Sequence, residues 1–217
     1  MGSRLLQLSR PTASSPDELA VFPLHHSATL VLAGRIVGEA RRVRVFQPSR
    51  KRKSWLWNRD ADVHPAGTFK VIGDTVSLVD EVLLTVELTA HLDESAIPES
   101  LATAVASGTI PRIRLTTDTP SGECLQRKED LDQVIGVARS VINDIQDKMH
   151  ARCVHLIVVA PASATFSIGQ LLQAGHHAEY TLYDRANWEQ PFREAFTING
   201  HSVVPPAGSD QTPITIR

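Results

Sequence analysis

The sequence predicts an α/β fold, and three patterns support this prediction. Strand-like and helix-like segments alternate between residues 110 and 184, in the order strand, helix, strand, helix, strand. The strand at Cys153–Ala160 (CVHLIVVA) is continuously apolar, as is typical of a parallel strand buried on both faces. The helix from Glu129 to about His150 repeats apolar residues every three or four positions. Together the patterns predict a mainly parallel sheet with right-handed crossover connections.

The first third of the chain carries shorter patterns. Glu18–Leu24 predicts a strand, and Arg42–Phe46 alternates polar and apolar residues as a half-buried strand does. Ala28–Val37 is apolar and fits either a strand or a helix. Residues 48–67 predict a long polar loop, and Phe69–Leu78 predicts a further strand.

The second part of the chain supplies the remaining elements. Its other predicted strands are Val82–Ala90, Ile110–Thr116 and Ala178–Tyr183, and its short helices are Glu99–Ala106 and 165–173. Pro98 precedes the first of these helices and Gly108 follows it, which is common at helix ends. The tail from Pro205 predicts irregular structure.

The order of strands also predicts where a ligand would bind. In an open α/β sheet, ligands bind beyond the carboxyl ends of the parallel strands. Those ends are Thr116–Thr117, 161–164 and 183–185, and we expect them to converge on one rim. The small residues before the helix at 165 allow close approach to its free amide groups, and Ser163 could cap that helix or donate to a phosphate. An ordinary strand-to-helix turn with a serine cap is an equally good interpretation.

Charge is unevenly distributed along the chain. The formal net charge of −2 conceals a segment from Arg35 to Arg59 with nine basic residues and one acid, Glu39, a net charge of +8. The other 13 basic and 23 acidic residues give −10. A single basic segment in an acidic chain predicts a localised anionic partner.

Several classes of protein are excluded by what the sequence lacks. It has no apolar run long enough to span a bilayer and no secretory signal, so we expect no membrane partner. Only two cysteines occur, Cys124 and Cys153, which favours a reduced, cytoplasmic setting. The glycine-rich, serine-hydrolase and zinc-protease motifs are absent. The pairs His25–His26 and His176–His177 lack the spacing of metal ligands, so we expect no catalytic residue, metal or cofactor.

The densest part of the basic segment lies next to two tryptophans. Arg50, Lys51, Arg52 and Lys53 precede Trp55 and Trp57, which would face the same side of an extended chain. Cations beside aromatic rings suit a ligand that has both phosphates and bases. The alternatives are a solvated loop and a nonspecific nucleic-acid patch, and one of the two tryptophans could instead belong to the core.

Residues 82–200 resemble the C-terminal part of a SAVED domain, the sensor domain of CBASS anti-phage effectors and of some type III CRISPR effectors. The resemblance rests on the strand–helix–strand order, the long helix and the segments CVHLIVVAPASATFSIGQLLQ and HAEYTLYDR. These segments place Pro161, Ala164, Gly169, Tyr183 and Asp184 where the family has a proline turn, small residues and a terminal Tyr-Asp-like pair.

The resemblance implies two fused Rossmann-like halves, similar to joined CARF sensors and related by a pseudo-twofold. We assign residues 18–80 to the N-terminal half with its basic loop and residues 81–204 to the C-terminal half. Residues 1–17 would be a leader or linker, and residues 205–217 an irregular tail.

The family resemblance also implies a function. The expected ligand is a cyclic tri- or tetra-adenylate, and its binding would control an effector fused to the sensor or acting in trans, in some members through ligand-induced homo-oligomers. Alternatives are a ring nuclease that cleaves its own ligand, a nonspecific nucleic-acid-binding subunit, and a scaffold subunit without a ligand. The candidate ligand-binding residues are Arg50, Lys51, Arg52, Lys53, Trp55, Trp57, Thr117, Ser121, Pro161, Ser163, Ala164, Tyr183 and Arg185.

Overall fold

The computed structural model describes residues 18–39, 42–75, 77–172 and 178–216. The expected leader, Arg41 of the basic segment and the pair His176–His177 lie outside these residues. Within the described ranges, no helix is both long enough and apolar enough to cross a bilayer.

The strands and helices follow the predicted alternation. In chain order the strands are β1 (Glu18–Val21), β2 (Arg42–Val45), β3 (Phe69–Ile72), β4 (Glu81–Glu87), β5 (Arg112–Thr117), β6 (Cys153–Val159), β7 (Glu179–Asp184), β8 (Arg193–Asn199), β9 (Ser202–Val204) and β10 (Ile214–Thr215). The α-helices are α1 (Ser27–Val37), α2 (Glu99–Ala106), α3 (Lys128–Asp147) and α4 (Ala162–Leu171), and a short 3₁₀ helix spans Glu94–Ala96.

The described strands form two sheets. In the eight-stranded sheet the order is β10-β9-β8-β7-β6-β4-β5-β3. Its four central strands, β7, β6, β4 and β5, are parallel, and the strands at both edges are antiparallel to their neighbours. β1 and β2 form a separate parallel pair joined by α1. The predicted α/β fold is therefore confirmed, although the large sheet is mixed: its centre is parallel, and antiparallel strands extend it on both sides.

Two apolar cores lie on opposite faces of the large sheet. Along β6, Val154, Leu156 and Val158 pack in the larger core with residues of α1, α3 and α4. Ile157 points to the other face, where it packs with Leu101 of α2. The continuous apolar run of β6 follows from this arrangement, because both faces of the strand are buried.

The segment Ala28–Val37, which fitted either a strand or a helix in sequence, forms helix α1. It packs directly on α4, and glycines lie at the crossing. A Cβ added to Gly34 would lie 2.0 Å from the Phe166 carbonyl oxygen, and one added to Gly169 would lie 2.1 Å from that of Val31. The two helix backbones therefore touch, which no residue larger than glycine permits at either position.

Some boundaries differ from those predicted. The strand predicted over Phe69–Leu78 ends at Ile72, and it pairs with β5 rather than with a strand before residue 80. The strands β8 and β9 were not predicted, and β10 forms within the tail that was expected to be irregular. These three strands form the antiparallel extension of the sheet beyond β7, and their formation depends on pairing with one another more than on local pattern.

Candidate functional site

A cleft of about 620 Å³ opens at the predicted rim of the sheet. We call it the first cleft. Thr89 lies just beyond the carboxyl end of β4, Gly122 and Glu123 follow β5, and Ala162 follows β6. The opposite wall comes from Leu24 and His25, which join β1 to α1, and from the loop between β2 and β3, here called the basic loop (residues 46–68). The lining residues from the basic loop are Gln47, Pro48, Ser49, Arg50, Lys53, Ser54 and Trp55.

The four consecutive cations form a compact turn, here called the basic turn (Arg50–Lys53). Ser49 and Ser54 close it with a pair of backbone hydrogen bonds of 2.9 and 3.3 Å. The Arg52 amide donates to the Ser49 hydroxyl at 3.1 Å, and Lys53 takes a positive φ of 50° at the end of the turn. All four side chains are exposed, and none forms an ion pair within the described part of the chain. The turn therefore presents uncompensated positive charge.

The loop that carries this turn is fixed to α3 by the carboxylate of Asp130. That carboxylate is fully buried and accepts hydrogen bonds from the backbone amides of His64, Gln126 and Arg127, at 2.9, 3.2 and 2.9 Å. Its position in the first turn of α3 also suits a negative charge. The basic loop is thus held at its C-terminal side by a charge-assisted network.

The two tryptophans of the loop lie in different environments. Trp55 lines the first cleft and meets the ring of Phe22 edge-on at 5.5 Å. Phe22 stacks on Phe46 at 4.5 Å and is 52% exposed. Trp57 packs against the larger core and donates its indole N–H to the Val45 carbonyl at 3.1 Å. The two rings would share a side only on an extended chain, and the backbone bends between them, so Trp57 is the ring that packs against the core.

A second cleft, of about 900 Å³, lies on the other side of the basic loop. Its lining includes Arg44, Arg52, Trp57, Arg59, Arg127 and Lys128. Most of this charge is compensated: Arg44 pairs with Glu18 at 2.9 Å, Arg127 with Glu129 at 3.0 Å, and Lys128 with Asp132. The hydrogen bond from Arg127 also lowers the pKa of Glu129, to about 2. This cleft therefore offers less free positive charge than its lining suggests.

The N-terminus of α4 is already occupied. The backbone amide of Ser163 donates to the side-chain oxygen of Gln47 at 3.1 Å. The Ser163 hydroxyl is fully buried and has no hydrogen-bond partner within the described residues, so it does not cap the helix. Gln47 takes the place at this helix end that we expected a phosphate to take, and direct contact of a ligand with Ser163 would require Gln47 to move.

Other predicted residues near the rim vary in accessibility. Ser121 is exposed in the loop after β5, where its amide donates to the Leu88 carbonyl at 3.0 Å. Thr117 is only 2% exposed, and Ala164 is completely buried. Pro161 is the residue immediately before α4 and is also buried.

Tyr183 and Arg185 lie on the face of the sheet opposite α4. The Tyr183 ring packs in the smaller core, and its hydroxyl hydrogen-bonds the His155 ring nitrogen at 2.9 Å. The Arg185 guanidinium sits over the Phe192 ring, 4.9 Å from its centre. The structure does not bring these two side chains into the lining of the first cleft.

Sequence reasoning missed several residues of the first cleft. His25 was noticed only as half of a histidine pair, and Leu24 only as part of an apolar run. Gln47 and Ser49 carried no signal, because each acquires its place through contacts made across the fold. The one available clue to Glu123 was its position after a strand whose carboxyl end faces the rim.

The family of the chain can now be stated. The model of the SAVED family, the SMODS-associated and fused to various effectors sensor domain, matches residues 3–198. The chain belongs to the SAVED family. By its description, this family consists of sensor domains.

Solved structures support the SAVED fold. The Acinetobacter baumannii Cap4 SAVED/CARF-domain containing receptor with the cyclic trinucleotide 2'3'3'-cAAA has a TM-score of 0.63 and 15% identity, over 84% of this chain and 38% of that one. With 3'3'3'-cAAA the same receptor has a TM-score of 0.61 and 14% identity, over 84% and 39%. The Moraxella osloensis Cap4 receptor has a TM-score of 0.57 and 16% identity, over 84% and 37%.

At such identities the likeness establishes the fold alone. The chain also spans well under half the length of these receptors. A search of curated proteins finds no match.

Proposed function

We propose that this SAVED chain is a receptor that binds a cyclic oligoadenylate in the first cleft and thereby controls an effector in anti-phage defence. The observation that carries the proposal is the basic turn: Arg50 and Lys53, which form no ion pair within the described residues, line the first cleft beside Trp55 at the carboxyl ends of three parallel strands. Two structural neighbours of the chain hold cyclic trinucleotides, which supports this ligand class.

The dimensions and charge of the first cleft suit a small ring. Its volume of about 620 Å³ falls within the range usual for small-molecule sites. A ring of three or four nucleotides carries one negative charge per phosphate, and Arg50 and Lys53 line the cleft directly. Lys51 and Arg52, on the same turn, add to the local positive potential.

Trp55 is the better candidate to stack on a base. It lines the first cleft, whereas Trp57 is held against the core by its hydrogen bond to Val45. Stacking of a base on an aromatic ring contributes about 1–3 kcal/mol. Ser121, Thr117, Pro161, Ser163, Ala164, Tyr183 and Arg185 remain predicted contacts, and of these Ser121 is the most accessible.

The effector, and ligand-induced homo-oligomers, belong to the same proposal. The effector would be fused to the sensor or act in trans. If the receptor cleaves the ring, chromatography after a long incubation will show loss of the intact ligand.

The proposal is tested by thermal unfolding of the chain with cyclic di-, tri- and tetranucleotides. At 100 times its dissociation constant, a ligand stabilises the folded state by about 2.7 kcal/mol. For a domain of this size that corresponds to a rise in Tm of about 5–10 °C. A matched linear triadenylate should give a much smaller rise. If no ring raises Tm, or if linear and cyclic ligands act equally, the proposal is wrong.

Charge reversal at Arg50 and Lys53 tests whether these side chains contact the phosphates of the ligand. Arg50→Glu and Lys53→Glu should each weaken ring binding at least tenfold, because each replaces a charge-assisted contact with a repulsive one. Arg152 lies just before β6, at the amino ends of the parallel strands and therefore away from the first cleft. Arg152→Glu changes the net charge equally and should leave the affinity within about twofold. Titration calorimetry measures all three, and equal losses would indicate only a general effect of net charge.

Substitution of Trp55 should mainly affect ligand binding, and substitution of Trp57 should mainly affect stability. Trp55→Ala should weaken ring binding at least tenfold and change the free energy of unfolding little, because Phe22 and Phe46 keep their own stacking contact. Trp57→Ala should cost up to about 3 kcal/mol of stability, since it removes a partly buried side chain that packs against the larger core. Calorimetric binding and urea unfolding of both variants check this prediction, which fails if Trp55→Ala binds normally.

A further inference from the structure

We propose that Glu123 recognises the exocyclic amino group of a base in the first cleft, so that the receptor selects rings with an amino-bearing base such as adenine. This inference rests on the proposed function and adds a specificity determinant to it. Glu123 lines the cleft together with Arg50, Lys53 and Trp55.

A carboxylate in this position calls for a donor. Glu123 lies in the same cleft as two unpaired cations, yet it forms no ion pair with either of them within the described residues. A phosphate placed against it would be repelled. The phosphates therefore belong at the basic turn, and the part of the cleft near Glu123 suits a ligand group that donates hydrogen bonds.

The carboxylate is held in place and still has acceptor capacity. Both of its oxygens lie near the Ser49 hydroxyl, at 3.2 and 3.4 Å. Ser49 is buried, and its hydroxyl in turn accepts the Arg52 amide, so Glu123 is tied to the base of the basic turn. A carboxylate has about four lone-pair sites. One hydroxyl donor leaves room for a donor from the ligand.

Of the groups on a nucleotide, the base amino group fits best. A base stacked on Trp55 lies in the cleft with its edge free, and the amino groups of adenine and cytosine donate well to carboxylates. Guanine also carries an amino donor, whereas uracil presents a carbonyl that a carboxylate repels. A base without the amino group would leave the remaining acceptor sites of a partly desolvated carboxylate without a donor, which is costly.

The decisive experiment compares two rings that differ only in the amino group. Cyclic triadenylate is titrated into the full chain beside the ring in which every adenine is replaced by unsubstituted purine. The wild-type chain should bind the adenine ring at least tenfold more tightly. In Glu123→Ala the preference should fall to about twofold or less, mainly through weaker binding of the adenine ring. Glu123→Gln keeps an acceptor oxygen and should retain part of the preference.

Ser49→Ala separates recognition from positioning. This variant removes the hydroxyl that holds Glu123 and keeps the carboxylate, so it should lower both affinities and preserve more of the preference than Glu123→Ala does. If the wild type binds both rings equally, or if Glu123→Ala weakens both by the same factor, the inference is overturned and the proposed function stands. A carboxylate that contacts a ribose hydroxyl would give that second result. If the wild type binds neither these rings nor cyclic tetra-adenylate, the proposed function fails and the inference fails with it.

Discussion

The carboxylate of Glu87 accepts five hydrogen bonds from side chains and backbone. Glu87 ends β4 and is completely buried. One oxygen accepts from Thr85 at 2.6 Å, Arg112 at 3.0 Å and Arg114 at 3.0 Å, and the other accepts from Arg114 at 2.8 Å and the Leu92 amide at 3.1 Å. Burial alone would raise the pKa of Glu87, but the bonds from Arg114, Thr85 and Leu92 outweigh it and lower the pKa to about 2. The loop that carries Thr89 into the first cleft is folded back by this carboxylate.

Stability should therefore depend on pH through Glu87. Its folded-state pKa of about 2 lies below the usual 4.5, so its contribution is present above pH 4.5 and is lost as the pH falls toward 2. A shift of this size corresponds to about 3 kcal/mol. Urea unfolding at pH 7 and at pH 3 should show the loss, and Glu87→Gln should reduce stability at pH 7 and flatten the acid dependence. The exposed Glu189→Gln should do neither. An unchanged acid profile in Glu87→Gln would contradict this prediction.

At the scale of elements, the contact between α1 and α4 joins the small β1–α1–β2 unit to the large sheet. The contact depends on Gly34 and Gly169, since an added Cβ at either position would meet backbone atoms rather than a movable side chain. Backbone atoms of two packed helices cannot give way without separating the helices. The position of the cleft wall that includes Leu24 and His25 therefore depends on the absence of a Cβ at Gly34 and Gly169.

Alanine at these positions should be strongly destabilising. Gly34→Ala and Gly169→Ala should each lower the free energy of unfolding by about 2–3 kcal/mol or more, through overpacking. Gly136→Ala is the matched control: it lies in the exposed middle of α3, nothing is within 4 Å of its added Cβ, and it should raise stability by about 0.5–1 kcal/mol. Urea unfolding of the three variants checks the set, and a neutral Gly34→Ala would show that the helices tolerate separation.

The elements that sequence predicted well are those with local causes. The apolar run of β6 and the three-and-four spacing of α3 follow from burial on both faces and on one face, respectively. Strands β8 to β10 extend the sheet beyond β7; β9 and β10 are only three and two residues long, and the strands pair with one another and with β7. Their formation is decided by pairing, which a single sequence does not display.

The candidate site divides in the same way. The basic turn and Trp55 were predicted, because charge and aromatic residues concentrate in one short segment. The opposite environment of Trp57, the placement of Gln47 at α4 and the entry of Glu123 into the cleft each depend on a contact between distant residues. The separation in sequence is 116 residues for Gln47 and Ser163, beyond the reach of any local pattern.

At the scale of the whole molecule, positive and negative charges lie in different parts of the chain. The segment from Arg35 to Arg59 carries +8 and the remainder −10. Not all of the positive charge is free, since Arg44 pairs with Glu18, and Arg35 is buried with its guanidinium donating to the Gly200 carbonyl at 3.0 Å. The free cations concentrate at the basic turn. A compact anion can occupy this region, whereas a long polyanion would extend over the acidic remainder and be repelled.

This arrangement predicts a shallow dependence of binding on salt. A ring with three phosphates should show a slope of log K against log salt concentration no steeper than about −2. Fluorescence titrations between about 50 and 200 mM salt measure it. A long single-stranded RNA should bind weakly throughout this range. Tight RNA binding with a slope steeper than about −4 would instead indicate a nonspecific nucleic-acid surface.

The clamp that Asp130 forms on the basic loop has a thermodynamic consequence for any ligand. A long cationic loop would ordinarily lose much conformational freedom when it closes on an anion, and that loss would be subtracted from the affinity. Here the chain's own residues hold the loop: three backbone amides donate hydrogen bonds to Asp130, and Ser49 and Ser54 close the turn. Because these contacts already order the backbone, an anion bound at the basic turn would need to order little more of it.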